Sequence, residues 1–382
     1  MYLSPTSEQQ ELKDAVRRFC DEQITPERVA AWEKEPRGID DASWRAIATL
    51  GWFGLGLPAS AGGSGLGLVE VACVLEECGR GLIPRRVINA VRAACALAEL
   101  DPDNAALPAL ACGERTVALA FHEQHAREPQ AYTTEIRHEA GTAVLSGEKW
   151  YVADGASADW HIVAAREAGG LSLVMVPAES AKVATLRTFD GERQAVARYA
   201  RVPIAQRLGA AGQAGAAFDR VRREQVALAL AEMVGGMDAV LAMTVAYVKE
   251  REQFGQKIAV FQAVQHQVAD MATALTAARH LAWQAITRLA AGTEQGGELE
   301  TAAAFVGQAF KRLTLSAHHL HGGAGYVVEH PLHYHAERAQ ALCVRYAPEA
   351  PALEAIAMAL LDVDFHEQGT LGGRVFHEDA PL

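Results

Sequence analysis

The sequence predicts an α+β chain in three parts: an N-terminal α-helical domain (1–113), a small middle β-sandwich or barrel (114–207) and a C-terminal antiparallel four-helix bundle (208–365). Three observations predict it. Apolar residues recur at helical spacing in the first part. Short apolar runs alternate with turn signals in the second. Long stretches with few breakers fill the third. The 382 residues suffice for two or three domains, and 50% apolar residues supply a sizeable core.

Thr6 or Ser7 is placed to cap the first helix, with Gln10 or Glu11 completing a capping box. Leu12, Val16, Phe19 and Cys20 form its stripe, and Trp44, Ile47 and Ala48 repeat the pattern. The following GWFGLGLPASAGGSGLGL is a loop. Its glycines do not read as a dinucleotide fingerprint, because no strand precedes them and no βαβ unit surrounds them. Leu68, Val71, Ala72, Leu75 and Cys78 mark the next helix. TVALAF, TAVLSG, DWHIVAA, GGLSLVMVP and VARYARVPI then predict five to seven strands, with Ala168-Gly169-Gly170 as a hairpin loop. Phe218–Glu250, Phe261–Leu289 and Leu299–His321 supply bundle helices, and 366–382 reads as a flexible tail.

Asp plus Glu outnumber Lys plus Arg by 47 to 35, a net charge of -12, which argues against nucleic acid as the main partner and against anionic membranes. The longest apolar run, Met233 to Val248, is interrupted by Asp238 and weakened by Gly235-Gly236, so no membrane span is expected. The first residues carry no basic and apolar leader pattern, and the six cysteines form no CxxC pair. Reduced thiols and a cytoplasmic location are the expectation.

Four constellations carry possible chemistry. Arg251-Glu252-Gln253-Phe254-Gly255, followed by Phe261-Gln262, presents a planar cation, an aromatic ring and an open backbone suited to a phosphate, although helix physics alone favours a plain C-terminus. His318 to Tyr326 holds Gly322-Gly323, where free N–H groups suit an anion or a tight turn. His318, His319 and His321, with His330, His333 and His335, form a histidine cluster; His333 and His335 would share a face of a strand. No HExxH occurs, and surface or turn histidines are preferred to a metal site. Glu224, Glu232, Asp238 and Glu250 are carboxylates within the bundle, where burial would raise a pKa toward that of a base.

Taken together, these motifs resemble the acyl-CoA dehydrogenase family. YVKEREQFGQKIAVFQAVQHQVADM (247–271) resembles its flavin-contacting helix pair, and LHGGAGYVVEHPLHYHAERAQAL (320–342) its second signature. LGWFGLGLPASAGGSGLGLVEVACVLEECGRGL (50–82) is similar to its N-terminal region and LSGEKWYVADGASADWHIVAA (145–165) to its β-domain. The resemblance implies FAD-dependent α,β-dehydrogenation of an acyl-CoA thioester. A carboxylate takes the α proton, hydride leaves to the flavin, and electrons pass to an electron-transferring flavoprotein. By the same resemblance Arg251 meets the FAD diphosphate, Phe254 flanks a ring and Gln262 hydrogen-bonds FAD. His319, Gly322 and Gly323 contact the FAD of a neighbouring subunit, so a homo- or hetero-tetramer with a homologous chain is implied.

The chain departs from that pattern at the base. The family's usual Glu falls on Tyr346, with Glu349 three positions on, and the alternative position on the long helix falls on Gln225. The Trp-x-Thr that meets the flavin falls on Tyr151-Val152-Ala153, and the loop after Phe121-His122-Glu123 lacks Gly-Ser-Asp. Two readings follow. Either the chain is an active dehydrogenase with Glu224 as its base, or it is a non-catalytic partner that completes the FAD site of a catalytic homologue.

Overall fold

A computed structural model describes residues 5–367 apart from 127, 140, 205, 295 and 328. The chain opens with α1 (Ser7–Gln23), α2 (Pro26–Lys34), α3 (Asp41–Thr49), α4 (Leu68–Arg80), α5 (Arg85–Leu100) and α6 (Leu107–Ala111). Thr6 caps α1, and the reciprocal partner is Gln9 rather than Gln10 or Glu11, because the box spans three residues from the cap itself. Val16 and Cys20 bury the inner face of α1 against α4.

The strands are β1 (Val117–Ala120), β2 (Glu135–Glu139), β3 (Thr142–Ala153), β4 (Trp160–Glu167), β5 (Gly170–Pro177), β6 (Lys182–Leu186), β7 (Gln194–Pro203) and β8 (Gln206–Leu208). They form one eight-stranded sheet in the order β6-β7-β3-β2-β4-β5-β8, with β1 parallel to β4. The count exceeds the five to seven expected. β2 and β6 are largely exposed and β8 is three residues long, so none of them writes an apolar run. The β4–β5 turn is the expected hairpin, with Glu167 paired to Gly170. Alternation sorts the two faces. Ile162 and Ala164 meet α5, α6 and Phe218, whereas Val163 and Ala165 meet Leu145, Val174 and Ala197 in a core within the sheet.

The C-terminal part holds α7 (Gly215–Glu250), the short hairpin β9 (Glu252–Gln253) and β10 (Gln256–Lys257), α8 (Gln262–Ala291), α9 (Glu298–His321), α10 (Leu332–Tyr346) and α11 (Glu349–Glu367). Most of the segment expected as a tail, 368–382, lies outside the described residues. By length and mean hydropathy (1.7) α7 is apolar enough to cross a membrane, yet 67% of that window is buried within the protein. It is the central helix of the bundle, packed by α4, α8, α9 and α10. α4 crosses it at backbone contact. A Cβ on Gly235 would stand 1.7 Å from the Glu76 carbonyl, and one on Gly79 would stand 2.1 Å from that of Glu232. The Gly235-Gly236 pair therefore serves helix packing.

Candidate functional site

The first constellation is the corner after α7. Arg251 leaves the helix in an extended conformation, its N–H donating to the Tyr247 carbonyl. Phe254 (φ 52°) and Gly255 (φ 77°) then form the tip of the β9–β10 hairpin, where a two-residue loop of this hand needs positive φ at both positions. Glycine accepts that at no cost; a phenylalanine does not. Phe254 is also 92% exposed, its ring edge-on to Phe261 at 6.0 Å. A strained, solvent-facing aromatic is a functional candidate. Arg251 and Gln262 are exposed beside it.

The second constellation lies at the same end of the bundle. Tyr247 stacks on His321 at 4.4 Å and donates its hydroxyl hydrogen to the His321 carbonyl at 3.1 Å. His319 is exposed and reaches Gln267 Oε1 on α8 through Nδ1 (3.1 Å). Gly322 and Gly323 are exposed and nothing stands within 4 Å of a Cβ built on either, so their backbone is open to a ligand. The structure thus joins the two motifs that lie far apart in sequence.

The histidines do not form a metal site among the described residues. His333 and His335 are on α10 rather than a strand, because the run after Pro331 continues as a helix. His318 stacks on Tyr326 and His321 on Tyr247, so both act as packing rings.

The third region is a cleft between β1, the end of β3, α5, α7 and the end of α10. Gln225, Tyr346 and Ala153 line it together. The two positions where a base was sought therefore do meet, but they meet around Arg92. Its guanidinium lies 4.2 Å from the centre of the Tyr346 ring, and its Nε donates to Gln225 Oε1 at 3.2 Å. Gln225 Nε2 donates back to the Arg92 carbonyl at 3.1 Å. Arg345 Nη1 donates to Glu192 at 2.6 Å, and its Nη2 to the Tyr151 carbonyl at 3.4 Å. The free volume of the cleft is about 30 Å³.

Glu224 lies outside the cleft. Its carboxylate accepts from Arg220 Nε at 3.3 Å, and burial, then Glu99, raise its pKa. Glu232 is 1% exposed and is ion-paired with Arg85, with Arg92 Nη1 3.8 Å away. Glu349 accepts from Gln308 at 2.8 Å on the far side of α9. Sequence reasoning missed Arg85, Arg86, Arg92 and Arg345. A signal existed: Arg85, Ile88 and Arg92 share one face of a helix whose apolar residues are buried, so cations occupy core positions. A larger groove of about 650 Å³ lies at the start of α7, touching none of these positions. Its ionisable lining is mostly acidic (Glu128, Glu135, Glu167 and Asp219 against Arg166), which ill suits phosphates.

The comparisons agree with this architecture. The family model "Acyl-CoA dehydrogenase, N-terminal domain" matches residues 6–100, and "Acyl-CoA dehydrogenase, C-terminal domain" matches 216–345. The chain belongs to the acyl-CoA dehydrogenase family. It is 30% identical over 306 residues to benzylmalonyl-CoA dehydrogenase of Aromatoleum aromaticum, covering 73% of this chain and 78% of that one. The solved structure of a variant of the "Tcur3481-Tcur3483 steroid ACAD" is 28% identical with a TM-score of 0.85, over 93% of this chain and 98% of that one. A chain of the "ChsE4-ChsE5 complex from Mycobacterium tuberculosis" shares the fold at 24% identity (TM-score 0.86; 96% and 100% covered). Acyl-CoA dehydrogenases are FAD flavoproteins, and the helix–sheet–helix fold is the family's.

The residues present fit an FAD at one place and not the other. The corner offers an exposed guanidinium, an exposed ring and two glycines with open backbone, which suit a diphosphate and its adjoining base. The cleft does not fit a flavin ring: about 30 Å³ is far below the roughly 300–1,000 Å³ of ordinary ligand pockets. The two places are also distant. Gln225 and Glu250 are joined by uninterrupted helix, so at 1.5 Å per residue they stand about 38 Å apart.

Proposed function

We propose that this chain is a partner subunit of an FAD-dependent acyl-CoA dehydrogenase assembly. It completes the cofactor site of a homologous protomer and does not itself supply the catalytic base. One observation carries the reading: both base positions, Gln225 and Tyr346, hold a buried arginine in a closed cleft. An amide has no basic site, and neither position holds the carboxylate that takes the α proton in this family's reaction.

What the chain contributes is binding. Arg251 provides a charge-assisted contact to the diphosphate, Phe254 covers a ring, and Gln262 and His319 supply polar contacts. Gly322 and Gly323 let the backbone approach closely. When bound, FAD supplies the acceptor for the substrate hydride. The acyl-CoA and its base belong to the homologous protomer in this reading, and an electron-transferring flavoprotein is the onward acceptor. Glu224 as base in an independently active chain is the weaker alternative, since it does not line the cleft and its carboxylate is held by Arg220.

The test is spectroscopic. Purified alone, the chain is expected to be colourless and inactive with acyl-CoA thioesters; co-expressed with a homologous chain, the pair is expected to be yellow and active. Arg251→Ala in the pair is expected to cut flavin content several-fold. A yellow chain that bleaches with an acyl-CoA on its own would end the partner reading.

A further inference from the structure

The cleft at Gln225 and Tyr346 is closed to a flavin, but its charge is not balanced. Arg86, Arg92 and Arg345 line it against a single carboxylate, Asp154. The groups packed behind them leave the same sign. Arg85 and Arg338 are buried there, with Asp190, Glu192 and Glu232. Five guanidinium groups face four carboxylates, so one positive charge has no counterpart among the described residues of the cluster. Arginine does not escape this by losing a proton, and a buried unpaired charge is strongly destabilising.

Unused donors show where the deficit lies. Arg92 is 1% exposed and its Nη1 has no hydrogen-bond partner; Arg345 Nε, in the same lining, has none either. The nearest carboxylate oxygen to Arg92 Nη1, Glu232 Oε2 at 3.8 Å, is beyond hydrogen-bond range and is itself unpartnered. Ala90, Ala93 and Leu119 complete the wall with apolar surface, so water there solvates the charge poorly.

We propose that this cleft binds one small monovalent anion, of the size of a carboxylate group, held by Arg92 with Arg86 and Arg345. The free space of about 30 Å³ exceeds what a single water needs and admits a group of a few atoms. A phosphate is excluded on size, and its second charge would overshoot the deficit. The inference rests on the buried charges and not on the subunit reading above. The anion is either free or the carboxylate end of a thioester's acyl group; the second outcome would place an acyl-CoA on this chain, against the subunit reading, and the two are separable.

Crystals of the full chain soaked in sodium bromide, measured at the bromine edge, should show an anomalous peak between Arg86, Arg92 and Arg345. Bromide bound elsewhere on the surface with no peak there overturns the proposal. In solution, the melting temperature should rise saturably with added formate or bromide. Ala90→Leu, which fills the space and keeps every arginine, should abolish the rise, as should Arg92→Gln where it folds. A rise unchanged in Ala90→Leu overturns the proposal. Displacement of bromide by succinyl-CoA but not by butyryl-CoA assigns the site to an acyl carboxylate; displacement by neither assigns it to a free ion.

Discussion

Glu232→Gln tests whether the buried ion network is dry. The carboxylate is 1% exposed, pairs with Arg85 and stands 3.8 Å from Arg92 Nη1. The amide keeps its shape and removes its charge. Arg85 retains Glu192 at 3.0 Å, but Arg92 keeps no carboxylate within ion-pair distance among the described residues. At an effective dielectric of about 20, a pair at this spacing is worth about 4 kcal/mol. Removing one partner of a buried pair typically costs about 3–5 kcal/mol. Asp238→Asn is the control. Its pair with Arg279, at 2.8 Å, is closer than Glu232 stands to Arg92, but both side chains are about a third exposed, so its loss should stay below about 1 kcal/mol. Urea unfolding followed by tryptophan fluorescence, at fixed protein concentration, reads both. If Glu232→Gln loses no more than Asp238→Asn, the network is screened by water and the argument from buried charge is wrong.

Gly235→Ala should yield little soluble protein, because its Cβ would overlap the Glu76 carbonyl and force α4 from α7. Gly323→Ala, with open space around its Cβ, should leave the melting temperature unchanged and lower flavin content in the assembled pair. His335 is 2% exposed, and burial, then Arg338, push its pKa down to about 3. Below its ordinary value the unfolded chain gains a proton that the native state refuses, so stability should fall as pH drops from about 6.5 toward 3. A melting temperature flat down to about pH 4.5, where the carboxylates begin to protonate, would contradict this. Phe254→Gly should keep stability or gain about 0.5 kcal/mol by relieving the left-handed backbone, while flavin retention in the pair falls. Equal retention would make the exposed ring a bystander.

The legible parts of the sequence were those written as periodicity or as motif. The helices around Phe261 and Leu299 announce themselves because each buries a stripe over many turns, and the helix around Phe218 because its apolar run is long and buried on all sides. The corner at Arg251 was legible as a motif, although nothing local to it says that the glycine bend at 322–323 lies at the same end of the bundle; that takes the Tyr247–His321 contact. The cleft was legible only in part. Counting along the chain found Gln225 and Tyr346, but their meeting at Arg92 is a tertiary fact spread over α5, α7 and α10. The weak strands β2, β6 and β8 were lost for simpler reasons: β2 and β6 are largely exposed and need no apolar residues, and the three residues of β8 are too few to write a pattern.

The closed cleft and the exposed corner constrain the assembly more together than apart. About 38 Å of α7 separates them, so one chain does not hold both ends of one flavin dinucleotide. In the partner-subunit reading proposed above, the corner serves a neighbour. In a symmetric homo-oligomer that neighbour is the same chain, and its cleft would be the same cleft, filled by Arg92, Tyr346 and Arg345. A strained phenylalanine and two bare glycines would then be maintained to hold a cofactor that the recipient has no room for. The proposal therefore requires a recipient unlike the donor, with an open cleft and a carboxylate at one of the positions that here carry Gln225 and Tyr346. On this argument a homo-oligomer of this chain is flavin-free however well it assembles, and flavin content rises only with the fraction of unlike pairs in the mixture. Titrating a tagged homologous chain against this one, and reading flavin absorbance per pair, should give a plateau at equimolar ratio. Flavin bound in proportion to this chain alone would refute the asymmetry.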